Sequence, residues 1–173
     1  MKEGWALWVT GLPASGKSSL TQALVKMLND LEVKVEVLES DSVREVLTPK
    51  PTYSSEERDR FYKSLVYIGE LLTRNGVNVI LDATANKSKW RIAARENIPR
   101  FMEVFVDTPL EVCKMRDPKG IYEAAEKGEA KHVPGEQEAY ERPERPEVRV
   151  DGTKSPNINA LKVLEVMKKH GYV

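Results

Sequence analysis

The sequence has little of what disulfide-stapled, membrane-spanning or nucleic-acid-coating proteins depend on. Its one cysteine, Cys113, excludes an internal disulfide and, inside the apolar run Leu110-Glu-Val-Cys113, reads as a buried structural thiol. No apolar stretch approaches the roughly 20 residues that cross a bilayer, and no charged-then-apolar leader precedes the first strand, so a cytoplasmic protein without a membrane partner is expected. Neither sign of charge dominates, with 27 Lys+Arg against 27 Asp+Glu. That balance makes a general nucleic-acid or membrane-surface binder unexpected, leaving room only for local patches. Internal repeats and low-complexity linkers are also missing, and 173 residues suit a single domain over 1–173 with a core filling both faces of a sheet.

What is present begins with Gly11, Leu12, Pro13, Ala14, Ser15, Gly16, Lys17 and Ser18, which match the phosphate-binding pattern G-x-x-x-x-G-K-[ST] at every fixed position. Glycine at 11 and 16 lets successive backbone N–H groups turn inward onto phosphate oxygens. Lys17 supplies a compact cation for the β- and γ-phosphates, and the Ser18 hydroxyl can join the shell of a Mg²⁺ ion. The helix starting at about Gly16, with Ser19 in its first turn, adds the positive end of its dipole. The context agrees: Trp5 to Thr10 is an apolar strand, and Leu20, Ala23, Leu24, Met27, Leu28 and Leu31 recur at helical spacing.

Further along, Val33 to Leu38 alternates as a second strand that delivers Glu39, Ser40 and Asp41 to its carboxyl end. Asp41 can cap the next helix, and with Arg44 on the same helical face it can equally handle metal, hydroxyl and anion. A loop carrying Tyr53 leads to a long helix with a capping signal at Ser54 or Ser55 and a core stripe of Phe61, Leu65, Ile68 and Leu72. Arg58, Arg60 and Lys63 lie off that stripe, as solvated charge or anion ligands. Val77 to Asp82 is a third strand ending in a second candidate metal carboxylate, Asp82. Lys87, Arg91 and Arg95 recur every four residues and predict a basic helix face. Phe101 to Asp107 and Glu147 to Asp151 are further strands, the latter at an edge, and Ile158, Leu161, Leu164 and Met167 predict the packed face of a last helix. The polar stretch of about 117–146, punctuated by glycine and proline, reads as a lid. The expected architecture is an α/β fold with a five-stranded parallel sheet and helices on both faces.

Glu103 to Cys113, Arg116-Asp-Pro-Lys-Gly120, Tyr122, Gly128, Gly135 and Tyr140 to Glu147, taken with the phosphate loop and Asp41-x-x-Arg44, resemble the adenylylsulfate kinases. The resemblance implies a phosphate-loop kinase of sulfate assimilation that moves the γ-phosphoryl of ATP to the ribose 3′-hydroxyl of adenylyl sulfate, with Mg²⁺, as a homodimer. It implies that Lys17 and Ser18 handle ATP and Mg²⁺ and that Asp41 is the base or a metal-side carboxylate. Arg44, Tyr53 and Arg58 would meet the acceptor nucleotide, Lys119 would approach the phosphates, and Arg116 would pack on the ATP adenine. The family motif D-R-x-x-N-I-R-R is only partly echoed at Glu57-Arg58 or Asp59-Arg60. Its F-I-S-P-F-R segment falls on Ala83 to Ser88, and its lid phenylalanine falls on Val133. Asp82-Ala-Thr-Ala-Asn86 resembles instead the D-x-T-x-x segment of other small phosphate-loop kinases. Two alternatives therefore stand beside the first reading: a kinase for another hydroxyl acceptor, a small metabolite or an RNA or tRNA, and a nucleotide-binding module without turnover.

Overall fold

The computed structural model describes residues 3–173. Strands β1 (Ala6–Thr10), β2 (Glu36–Glu39), β3 (Val79–Asp82), β4 (Phe101–Asp107) and β5 (Val148–Asp151) form one sheet in the order β2-β3-β1-β4-β5. Every neighbouring pair is parallel, so each connection must cross over, which helices do. The helices are α1 (Lys17–Asp30), α2 (Ser40–Leu47), α3 (Ser55–Arg74), α4 (Ser88–Asn97), α5 (Leu110–Arg116), α6 (Ile121–Glu126) and α7 (Pro156–Lys169). The five-stranded parallel α/β sheet expected from the sequence is the one observed. Among the described residues no helix is long and apolar enough to cross a membrane.

A strand covered on both faces reads as an unbroken apolar run, and β1 is buried at every position. Leu7 and Val9 enter the core beneath α1 and α7, whereas Ala6 and Trp8 enter the core beneath α3 and α4. Two strands are shorter than their apolar patterns. β2 begins at Glu36, where pairing with β3 begins, so Val33 and Val35 ahead of it have no strand partner. Val77 donates its N–H back to Leu72 and so belongs to the turn that closes α3 rather than to β3.

The last helix is rotated from its expected face. Ile158 and Leu161 are exposed, and Ala160, Val163, Leu164 and Met167 are packed. Asn159 explains the rotation, because its side-chain amide donates to the Asp151 carbonyl at 2.8 Å and turns that face of α7 toward β5. On α3 the capping signal resolves to Ser54, whose hydroxyl accepts from the Glu57 N–H at 3.2 Å.

The basic face expected on α4 turns inward at Arg91, while Arg95 stays exposed. Arg91 is 2% exposed and donates from Nε to Glu103 at 2.7 Å, from Nη2 to the Glu141 carbonyl at 2.5 Å and from Nη1 to the Ala85 carbonyl. Arg95 pairs with Glu147 at 2.5 Å and reaches Glu103 at 3.6 Å. These contacts, with Asn86 Nδ2 donating to the Ala139 carbonyl at 3.0 Å, strap the chain from 139 to 147 across α4 and β4. The polar stretch of 117–146 is thus firmly tied down at its far end. Replacing Arg91 by Ala leaves Glu103 buried with only the distant Arg95, and breaking a buried pair from one side costs about 3–5 kcal/mol. Arg91→Ala is expected to lose that much in denaturant unfolding, and Arg91→Ala with Glu103→Gln to lose less.

Because all five strands run the same way, the carboxyl ends of β1, β2 and β3 open on one edge of the sheet. The phosphate-loop motif, Asp41 and Asp82 all emerge there.

Candidate active site

The glycine loop leaves β1 and is shaped by close approach. A Cβ on Gly11 would stand 2.7 Å from the Val106 carbonyl oxygen and 2.6 Å from Ser15 Oγ. Gly16, at φ 102°, sits in the left-handed region as the N-cap of α1, where a side chain would be strained. Lys17 Nζ donates to the Leu12 carbonyl at 2.9 Å and to Gly11 at 3.3 Å, which holds the amine over the loop. Burial pulls the Lys17 pKa below the ordinary lysine value, partly offset by the Asp82 carboxylate. Burial pushes Asp82 the opposite way, upward, against the charge of Lys17 and the hydroxyl of Ser18. Lys17, Ser18 and Asp82 therefore form a compact floor at the ends of β1 and β3.

At the mouth of the cleft a second acid meets a second lysine. Asp41 lies in the first turn of α2 but is not its cap, because Glu39 holds that position and makes no side-chain cap bond. The Asp41 carboxylate accepts instead from Lys119 Nζ, and both side chains are 58% exposed. That hydrogen bond raises the Lys119 pKa above the ordinary lysine value. Lys119 is held by the structure after it. Asp117 accepts from the N–H groups of Ile121, Tyr122 and Glu123 at the start of α6, and the Tyr122 hydroxyl donates to the Pro13 carbonyl at 2.9 Å. The segment that carries Lys119 is thus tied to the phosphate loop itself.

One cleft of about 920 Å³ joins these groups, near the upper end of the roughly 300–1,000 Å³ usual for small-molecule sites. Its far end is aromatic and cationic. The Arg44 guanidinium lies 3.8 Å from the Phe61 ring centroid and 5.0 Å from that of Tyr53. Glu57 organises this end, accepting from Arg44 at 2.6 Å, from the Tyr53 N–H at 2.8 Å, and from both the hydroxyl and the N–H of Thr52. Its own desolvation would raise the Glu57 pKa, but these donors hold it below the usual carboxylate value. Arg58 donates to the His132 carbonyl at 2.6 Å and so links α3 to the opposite wall.

The model of the family described as adenylylsulphate kinase matches residues 3–151. The chain belongs to the adenylylsulphate kinase family. A Pyrococcus abyssi (strain GE5 / Orsay) relative named probable adenylyl-sulfate kinase is 41% identical, with 99% of each chain covered. The adenylyl-sulfate kinase of Synechococcus sp. (strain JA-3-3Ab) is 38% identical, covering 99% of this chain and 98% of its own. Among solved structures, the Mycobacterium tuberculosis APS kinase CysC in complex with AMPPNP and APS superposes with a TM-score of 0.91 at 32% identity, over 97% of this chain and 99% of that one.

Within this adenylylsulphate kinase family member, Pro13, Ala14, Gly16, Lys17, Ser18 and Ser19 line the cleft, together with Asp41, Arg44, Tyr53, Arg58, Asp82, Arg116 and Lys119. Gly11 and Ser15 are buried behind the loop, and Leu12 packs against the small core under it. Val133, where the sequence resemblance puts the family's lid phenylalanine, is among the residues that line the cleft. It is 4% exposed and packs with Cys113, Tyr122 and Ala125, so its side chain serves that small core. Three residues that organise the site are not assigned there by the sequence: Glu57 appears only in a capping signal and a partial motif, Thr108 only within the family-like run of Glu103 to Cys113, and Gly152 in no pattern. Each acts on a side chain or peptide in another element, and no spacing in the chain announces such a contact.

Proposed function

We propose that this adenylylsulphate kinase transfers the γ-phosphoryl group of ATP to the ribose 3′-hydroxyl of adenylyl sulfate, with residues 1–173 acting as one catalytic domain. The observation that carries this reading is the single cleft joining the Lys17–Ser18–Asp82 floor to the Arg44–Tyr53–Arg58 end, in a chain of this family. Phosphoryl transfer asks a protein mainly for in-line positioning, charge neutralisation and exclusion of water.

In this reading the phosphate loop holds the triphosphate, Lys17 meets the β- and γ-phosphates, and Arg116 lies along the donor nucleotide. The Ser18 hydroxyl and the Asp82 carboxylate offer the oxygen donors that suit Mg²⁺, which when bound there would neutralise phosphate charge. Asp41, nearer solvent and on the acceptor side, orients the 3′-hydroxyl and accepts its proton. Lys119 exchanges Asp41 for phosphate oxygens once a nucleotide arrives. Arg44 and Arg58 face the anionic part of adenylyl sulfate, and Tyr53 offers a face for its base. The segment from Asp117 to about Glu138 covers the reacting groups and limits hydrolysis of ATP by water. A homodimer belongs to the same reading, and sedimentation of the free protein tests it.

The direct test is ADP release with Mg²⁺ and ATP, with and without adenylyl sulfate. Stimulation by the acceptor is expected, and slow hydrolysis that no acceptor changes would contradict a kinase. Asp82→Asn separates the two acids. If Asp82 serves the metal, this variant needs a higher Mg²⁺ concentration for half-maximal rate, while the KM for adenylyl sulfate stays near that of the native protein.

A further inference from the structure

The outer side of the phosphate loop is held by residues that the motif does not contain. Its Ser15 carbonyl oxygen accepts from the Thr108 hydroxyl at 2.8 Å, and Arg116 Nη1 approaches the same oxygen at 3.4 Å. Thr108 is 4% exposed and stands where β4 ends and α5 begins. Gly152, just past β5, makes room for this contact: a Cβ there would lie 1.9 Å from Thr108 Oγ1 and 2.5 Å from the Ser15 oxygen. The ends of two strands and one helix thus converge on one peptide oxygen.

That oxygen belongs to the Ser15–Gly16 peptide. In a trans peptide the C=O and N–H point in opposite directions, and the described chain has no cis bond. Fixing the carbonyl toward Thr108 therefore fixes the Gly16 N–H toward the opposite side, and Gly16 lines the cleft. Glycine at φ 102° has little steric resistance to peptide rotation of its own. The contact from outside supplies the restraint that the loop lacks.

We propose that Thr108 is a positioning residue for the donor nucleotide: by holding the Ser15 carbonyl it keeps the Gly16 N–H aimed at the phosphates of ATP. The proposal rests on the reading of the loop as the ATP site. It assigns Thr108 no contact with the acceptor, which sits across the cleft against Arg44 and Tyr53.

The consequence is an effect on the donor alone, graded by the donor strength of the side chain at 108. Val keeps the shape of Thr and removes the hydroxyl, Ser keeps the hydroxyl, and Cys keeps a weaker donor of similar size. One neutral hydrogen bond supports a change of about three- to tenfold in affinity.

The experiment is calorimetric titration of each full-length variant with ATP and Mg²⁺ in the absence of acceptor, followed by KM values for both substrates. Kd for ATP is expected to rise in the order Thr, Ser, Cys, Val, with Ser within about twofold of the native protein and Val about three- to tenfold weaker. The KM for adenylyl sulfate should stay within about twofold throughout. Should Thr108→Val not fold, the Ser and Cys variants carry the same comparison. Equal ATP affinity across the series, failure of Ser to rescue, or parallel loss for both substrates would overturn the role of Thr108. A native protein that binds no ATP would overturn the ATP-site reading instead, which separates the two failures.

Discussion

Lys17→Ala is expected to lower phosphoryl transfer by about 10³-fold or more while the protein stays folded. The size follows from where the charge sits. Lys17 is held over the loop by the Leu12 and Gly11 carbonyls, in a site whose burial lowers its pKa. Electrostatic groups aimed at developing charge in such a site are each worth about 10²–10³ in rate, and Lys17 also neutralises the ground-state triphosphate. Arginine should not rescue it, because a planar fork cannot take the place of a compact ammonium between two phosphates. Single-turnover transfer of radiolabelled phosphate measures the loss, and a melting curve checks the fold. A Lys17→Ala rate within tenfold of the native one would mean that the phosphates lie elsewhere.

The second large effect is expected at Asp41. Asp41→Ala should reduce kcat by about 10²–10⁴-fold, the usual contribution of a positioned general base, and change ATP affinity by less than about threefold. The split between kcat and affinity separates this role from the metal role of Asp82, because loss of a metal ligand weakens the donor complex. Asp41 is fit for the part by its place. It is exposed at the cleft mouth and paired to Lys119 from the facing segment, whereas Asp82 is buried on the floor beside Lys17. Lys119→Ala removes the partner of Asp41 as well as a candidate phosphate ligand, so the single Asp41 variant is the cleaner probe. Comparable turnover in Asp41→Ala and the native protein would sink the assignment.

The candidate residues themselves are legible in the chain because each lies in a short local pattern. The phosphate loop is contiguous and flanked by its strand and helix, Asp82 ends β3, and Asp41 comes two residues after β2. A parallel sheet brings such strand ends to one edge, so their meeting follows from the topology. Contacts that depend on three-dimensional closure could not be read the same way. The Lys87–Arg91–Arg95 spacing shows a basic stripe, but the acids that pair with Arg91 and Arg95, Glu103 and Glu147, lie later in the chain, and Arg91 is drawn fully inside. On α7 the packed face runs through Ala160, Val163, Leu164 and Met167, and the Asn159 bond to the Asp151 carbonyl, a contact with another element, holds it there.

The acceptor end shows the same division. Arg44 and Tyr53 were legible as candidates, and the structure brings them within 5.0 Å around Glu57. In the sequence the family's lid phenylalanine falls on Val133. That side chain packs into the small core under the loop and also lines the cleft, next to His132, whose carbonyl Arg58 holds.

The most direct measurement is product analysis by mass and NMR after incubation of the native protein with Mg²⁺, ATP and adenylyl sulfate. The expected product is adenylyl sulfate with one added phosphoryl group on the ribose 3′-oxygen, formed in step with ADP. Unchanged adenylyl sulfate, with ATP bound and another hydroxyl compound phosphorylated in its place, would contradict the acceptor assignment.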